Sequence, residues 1–81
     1  MKSIINTINA GSKVSGQYFG AEFTGTVSHR RCHTVNGDEM VFHIDLDKNI
    51  EAMGSERESI CLKVMDATAT NREFSNCRLY V

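Results

Sequence analysis

Two stretches of alternating polar and apolar residues, joined by Asn36-Gly37, decide the fold of this chain. Residues 22–47 have the sequence EFTGTVSHRRCHTVNGDEMVFHIDLD. Asn-Gly between such stretches is a strong signal for a two-residue hairpin turn, because both residues tolerate the positive φ that a type I′ turn requires. We therefore expect a long hairpin in which a strand over 22–35 pairs with a strand over 40–47.

A two-residue turn at Asn36-Gly37 would fix the register of the whole hairpin. Residues two apart in a strand share a face. The residues that mark the core-facing side at the base of the hairpin are Phe23, Gly25, Val27, Ile44 and Leu46. The same register places a cationic ridge beside an apolar one on this face, with His29, Arg31 and His33 opposite Ile44, Phe42 and Met40.

Burying an unpaired arginine is very costly, so the position of Arg31 allows three explanations. The hairpin extends past the body of the protein, or a β-bulge near residues 30–32 exchanges its two faces. Alternatively, the ridge meets an acidic ligand, a phosphate or another subunit. A protruding hairpin would also leave Met40 and Phe42 as an exposed apolar patch, which usually marks an interface. The residues predicted to bind a partner are His29, Arg31, His33, Met40, Phe42, Arg30, His43, Tyr18 and Phe19.

The segments around the hairpin predict three further strands and two short helical pieces. Isoleucines at helical spacing before Gly11 predict a short N-terminal helix. Glycines alternating with aromatic residues over 14–25 favour a short strand, a tight loop and a curved strand. The polar stretch 48–58 predicts a loop. A strand over 59–65, one helical turn within 66–73 and a last strand over 74–81 complete the chain.

Five short, bent strands in a chain of this length predict a small antiparallel barrel, because they are too few and too short for a two-layer sandwich. The order of elements resembles an SH3-like barrel. The resemblance depends on Tyr18-Phe19-Gly20, on residues 23–27 (FTGTV) and on the turn-like segment 66–73 before the last strand. An OB-like barrel or an open antiparallel sheet is the alternative. In each case residues 1–81 form a single domain.

Composition indicates an ordinary folded domain without a global electrostatic field. The 81 residues are 41% hydrophobic and 23% charged, with a net charge of −1, which gives no general attraction for nucleic acid or anionic membranes. So small a core makes self-association a reasonable expectation. Cys32, Cys61 and Cys77 are too few for a disulfide framework and are expected to be buried or half-buried thiols in a reducing compartment. The apolar run at the N-terminus is too short for a signal peptide, so we expect a cytoplasmic protein.

No motif predicts catalysis, a metal or a cofactor. Cys32 and His33 point to opposite faces of a strand and cannot easily share an ion. We therefore expect a non-catalytic binding module that recognises a protein partner or a small anionic ligand through the 27–46 hairpin. The alternative is a nucleic-acid-binding barrel, although acidic residues are interleaved with the basic ones. The small size and loop-rich character of the chain suggest a phage or mobile-element protein, an expectation that no motif supports.

Overall fold

The residues that the structure describes form one five-stranded antiparallel sheet. The computed structural model describes residues 7–32, 39–65, 70–71 and 73–80. The strands are β1 (Lys13–Tyr18), β2 (Ala21–Cys32), β3 (Glu39–Ala52), β4 (Ser55–Met65) and β5 (Arg78–Tyr80). Their order in the sheet is β4-β3-β2-β1-β5, so the first four form a meander and β5 lies beside β1. The sheet curls strongly into a half-barrel, which confirms the predicted mostly β architecture.

Gly25 allows β2 and β3 to approach closely where the sheet curls. A Cβ atom on Gly25 would lie 2.5 Å from the carbonyl oxygen of Asp45 and 2.8 Å from Cγ2 of Ile44. Those distances are too short for any side chain, so only glycine fits without a backbone shift. The close backbone approach that the glycine pattern predicts is therefore found at this position.

Two hairpins of the meander have two-residue turns in which both residues have positive φ, as a type I′ turn requires. Phe19 and Gly20 join β1 to β2 with φ of 50° and 86°, and Met53 and Gly54 join β3 to β4 with φ of 53° and 77°. The prediction of a loop over 48–58 is wrong, because these residues form the end of β3, the second turn and the start of β4. The predicted Asn36-Gly37 turn lies outside the described residues.

The core lies on the inner face of the half-barrel. The predicted alternation is confirmed in 59–65 and in 77–80, where Cys77 and Leu79 are buried and Arg78 and Tyr80 are exposed. The predicted strand over 74–81 begins too early, because β5 starts at Arg78 and the N–H of Cys77 donates to the carbonyl of Phe74 in a turn. The base of the hairpin also faces the core as predicted. The buried cluster consists of Ile8, Val14, Phe23, Val27, Met40, Phe42, Ile44, Ile60, Leu62, Val64, Cys77 and Leu79. Val81 lies outside the described residues.

A β-bulge between Val27 and His29 changes the predicted register of the hairpin. The observed partners across β2 and β3 are Gly25–Leu46, Thr26–Asp45, Val27–Ile44, His29–His43, Arg30–Phe42, Arg31–Val41 and Cys32–Met40. The predicted pairing of Arg31 with Phe42 is therefore wrong. The alternative of a bulge that exchanges the faces is confirmed, but it lies at Ser28, just before the predicted place.

The N-terminal segment packs against β2 at this bulge. Val27 accepts a hydrogen bond from the backbone N–H of Gly11 (2.7 Å) and donates one to the carbonyl of Ser12 (2.9 Å). Ile8 is fully buried in the core. The described residues contain no helix, and residues 1–6 of the predicted N-terminal helix lie outside the described ranges.

Residues 70–71 connect the two ends of the sheet. Thr70 accepts a hydrogen bond from the N–H of Met65 (2.9 Å) and forms an antiparallel bridge with Arg78 in β5. The Asn71 side chain donates to the carbonyl of Lys63 (2.9 Å). The described residues of the predicted helical turn within 66–73 are not helical, and 66–69 and 72 lie outside the described ranges. No helix in the described part of the chain is long and apolar enough to cross a membrane.

Candidate functional site

The candidate site lies on the outer face of β2, β3 and β4, directly after the bulge. Because the bulge inserts Ser28, the side chain of His29 points away from the core. His29 pairs with His43, and His43 pairs in turn with Cys61, so these residues form a row across three strands. Arg31 lies on the same face two residues beyond His29. We call His29, Arg31, His43 and Cys61 the outer histidine face.

The two imidazole rings of this face stack on each other. The ring centroids of His29 and His43 are 4.7 Å apart and their planes differ by 17°. The Ser28 hydroxyl donates a hydrogen bond to the carbonyl of His43 (3.1 Å), and its oxygen lies 3.5 Å from Nδ1 of His29. The extra residue of the bulge thus ties the two strands together beside the stacked rings and helps to hold them in place.

A groove of about 270 Å³ runs beside the stacked rings, and no carboxylate lines it among the residues that the structure describes. The lining residues are His29, Arg31, Val41, His43 and Cys61. His29 and Arg31 are exposed, and His43 is half-buried. The charged side chains described near the groove include Asp45, which lies two residues beyond His43 in β3. They also include Lys63, whose Nζ lies 3.9 Å from Oε1 of Glu73. The described lining of the groove therefore consists of a guanidinium, two imidazole rings, a thiol and one apolar side chain.

The chemistry of this groove suits the binding of an anion better than catalysis. Arg31 offers the planar fork that pairs with carboxylates and phosphates, and the imidazole rings can donate N–H groups. In the described part of the chain no three His, Cys, Asp or Glu side chains are grouped so that they could hold a metal ion. Cys61 is a free, exposed thiol, so the expectation that the cysteines are at least half-buried is wrong for this residue.

The bulge separates the predicted binding residues into two groups. Arg30 is half-buried and lies opposite Phe42, and its Nη1 donates a hydrogen bond to the carbonyl of Ile8 (2.9 Å). Met40 is 6% exposed and Phe42 is fully buried, so both belong to the core. The predicted placement of His29 and Arg31 on the face of Met40 and Phe42 is therefore wrong. His33 lies outside the described residues.

Tyr18 and Phe19 lie in an aromatic cluster at the turn between β1 and β2. Phe19 contacts Tyr18 edge to face at 4.8 Å and Phe74 at 5.0 Å. The guanidinium carbon of Arg57 lies 5.5 Å from the centre of the Tyr18 ring. Burial raises the pKa of the neighbouring Cys77 thiol, although the Phe19 N–H, 3.4 Å from its sulfur, acts in the opposite direction. The structure therefore does not bring this cluster into the groove of the outer histidine face.

A second cleft, of about 430 Å³, is lined by residues outside the predicted binding set. It is lined by Ser15, Gly16, Gln17, Glu22, Phe23, Thr24, Lys48, Ile50 and Tyr80. Tyr80 is 46% exposed. The exposed position of Tyr80 was visible in the alternation of the last strand, but the approach of Lys48 and Ile50 was not, because residues 48–58 were expected to form a loop.

Comparisons with protein families, with curated proteins and with solved structures found no match for this chain.

Proposed function

We propose that this protein is a non-catalytic binding module that recognises an anionic group on its outer histidine face. The anion is a carboxylate or phosphate, presented by a protein partner or by a small ligand. The observation that supports the proposal is the groove in which Arg31 meets the stacked rings of His29 and His43, with no carboxylate among its described lining residues. An anion placed there would receive hydrogen bonds from a guanidinium and from ring N–H groups, which are among the stronger hydrogen bonds in proteins.

The fold proposal is an SH3-like barrel that self-associates. The meander of β1 to β4 and the return of β5 to the side of β1 support the SH3-like assignment. Self-association is supported by β4, an edge strand of 11 residues. In the described part of the chain, the outer edge of β4 forms hydrogen bonds with residues 70–71 at two positions only, Lys63 and Met65. Unpaired strand edges are templates for pairing between chains, and light scattering at several protein concentrations tests this part.

The anion proposal is tested by titrating the ¹⁵N-labelled protein with inorganic phosphate, a hexaglutamate peptide and an oligothymidine strand, each at two salt concentrations. We expect the first two to shift the amide signals of residues 28–31, 41–43 and 61. Arg31→Ala should weaken binding by about ten- to hundredfold, because a hydrogen bond to a charged group contributes about 1.5–3 kcal/mol. The matched control is Arg78→Ala, which removes an exposed arginine from β5.

Three outcomes contradict the proposal. In the first outcome, neither phosphate nor hexaglutamate binds at low salt. In the second, Arg78→Ala weakens binding as much as Arg31→Ala does. In the third, the oligothymidine strand binds far more tightly than hexaglutamate and loses affinity steeply with salt. That outcome would favour the alternative of a nucleic-acid-binding barrel, since the release of counterions from the nucleic acid gives such a dependence.

A further inference from the structure

The pairing between β2 and β3 ends at Gly25 and Leu46, although both strands continue beyond this point. Before Gly25, β2 pairs only with β1 in the described part of the chain. The pairing between β3 and β4 also stops after Asp45 and resumes at Ile50. Residues 47–49 thus have no strand partner on either side among the described residues. As far as the structure describes the chain, the sheet is open here, between the start of β2 and the later part of β3.

The 430 Å³ cleft lies at this opening. Its lining includes Glu22, Phe23 and Thr24 from the edge of β2, together with Lys48 and Ile50 from β3. The remaining lining residues belong to β1 and β5: Ser15, Gly16, Gln17 and Tyr80. The volume falls within the range of about 300–1,000 Å³ that is usual for ligand sites in proteins. In the described structure the cleft is therefore bordered by the free edge of β2, whose other edge pairs with β1, and by the unpaired residues 47–49 of β3.

We infer that this cleft binds an extended peptide segment of a partner protein by adding it to the sheet. An extended strand presents alternating N–H and C=O groups along its edge, and another extended backbone satisfies such groups at the same repeat. The exposed ring of Tyr80 and the half-buried side chain of Ile50 provide apolar surface for side chains of the peptide. The site shares no residue with the outer histidine face, so this inference does not depend on the proposed function.

Charge favours a peptide over a nucleotide as the occupant. Lys48 is the one basic residue among those that line the cleft in the described structure, and Glu22 faces the same space. A phosphate would therefore meet a carboxylate together with a single ammonium group, whereas nucleic-acid sites concentrate positive charge. A peptide backbone carries no net charge and needs no such field.

The experiment selects binders from a displayed library of random peptides about seven residues long, which suits strand addition. The selected peptide is then synthesised twice, once unmodified and once with alternate backbone nitrogens methylated. We expect the unmodified peptide to shift the amide signals of residues 22–24 and 48–50 and to slow hydrogen exchange there. Methylation should weaken binding by at least about tenfold, because it removes backbone donors while keeping the side chains.

Matched protein variants locate the site. Thr24→Arg places a bulky side chain in the cleft at an exposed position and should reduce affinity for the selected peptide by at least about tenfold, whereas Thr24→Ser should not. Arg31→Ala should bind the peptide like the unmodified protein. Circular dichroism and the amide spectrum verify that each variant is folded, and Tyr80→Ala replaces Thr24→Arg if the latter is not.

The inference is overturned if the library yields no binder, if the methylated peptide binds equally well, or if Thr24→Arg and Thr24→Ser bind alike. It is also overturned if adenosine monophosphate produces the same amide shifts at lower concentration than the peptide. Loss of peptide binding in Arg31→Ala would place the peptide on the outer histidine face instead, which separates failure of this inference from failure of the proposed function.

Discussion

His29 stacks on His43 across β2 and β3, with ring centroids 4.7 Å apart. This contact exists because Ser28 and His29 together occupy the place opposite one residue of β3. Before the bulge Val27 faces the core, and after it Arg30 turns inward while His29 points outward. One additional residue therefore decides which cationic side chains are available to a partner.

Deletion of Ser28 should be tolerated. It removes the residue that has no partner in β3, so the residues before and after it stay on their observed faces. We expect a folded protein that loses no more than about 1–2 kcal/mol of stability. Deletion of Thr26, which is paired with Asp45, should be far more damaging, because closing the bulge would then place Ser28 opposite Ile44 in the core and turn Val27 outward. Urea denaturation and amide spectra measure both. Equal damage from the two deletions would refute the assignment of the bulge.

Gly25→Ala should be among the most damaging substitutions in this chain. Its methyl group would lie 2.5 Å from the Asp45 carbonyl oxygen, so the strands must move apart, and we expect a loss of about 3 kcal/mol. Gly20→Ala is the control, since its Cβ meets nothing within 4 Å and only its φ of 86° is unfavourable. That substitution should cost about 1 kcal/mol. Thermal and urea unfolding decide the order of the two variants.

Met53→Asn should stabilise the protein. Met53 is 65% exposed and has a φ of 53° at the first position of its turn, where asparagine is preferred. We expect a gain of about 0.5–1 kcal/mol in the free energy of unfolding. Phe19→Asn also lowers the cost of a positive φ, but it removes the ring contacts with Tyr18 and Phe74. We therefore expect this substitution to reduce stability. A gain in both variants would mean that these ring contacts contribute little.

The stability of the protein should fall at alkaline pH partly because of Cys77. Burial raises the pKa of this thiol from its ordinary value of 9.0, so the unfolded chain loses the thiol proton at a lower pH than the folded protein. The stabilisation that the neutral buried thiol provides is therefore fully present at pH values below the pKa of this thiol in the unfolded chain. It is lost as the pH rises above that value. Urea midpoints at neutral pH and at about pH 10 should differ less in Cys77→Ala than in the unmodified protein. An unchanged difference would contradict this account.

Regular alternation allowed the inner face of the sheet to be predicted from the sequence. Phe23, Val27 and Ile44 were placed in the core because period-two patterns reflect the geometry of any half-buried strand. The bulge could be proposed only as an alternative, because nothing in the identity of Ser28 distinguishes a bulged serine from a paired one. Its position decides which side of the sheet Arg30 and Arg31 occupy, so the candidate site could not be assembled from the pattern alone.

The hairpin between β3 and β4 was missed for a different reason. Turns with two positive φ values are usually recognised from asparagine, aspartate or glycine, and here methionine holds the first position. Both strands near this turn are largely exposed, so the polar sequence 48–58 resembled a loop. The opening between β2 and β3, and with it the cleft, depends on that unrecognised extension of β3.

The position of β1 in the sheet has a consequence for synthesis on the ribosome. Of the five strands described, β1 is synthesised first, yet its outer edge pairs with β5, which is synthesised after the other four. A nascent chain can form the meander of β1 to β4, but the edge at Gly16 stays uncovered until Leu79 has left the exit tunnel. Pairing at the outer edge of β1 therefore waits for residues 78–80, and nascent chains in which these residues are still inside the tunnel should display an incomplete sheet with an exposed edge.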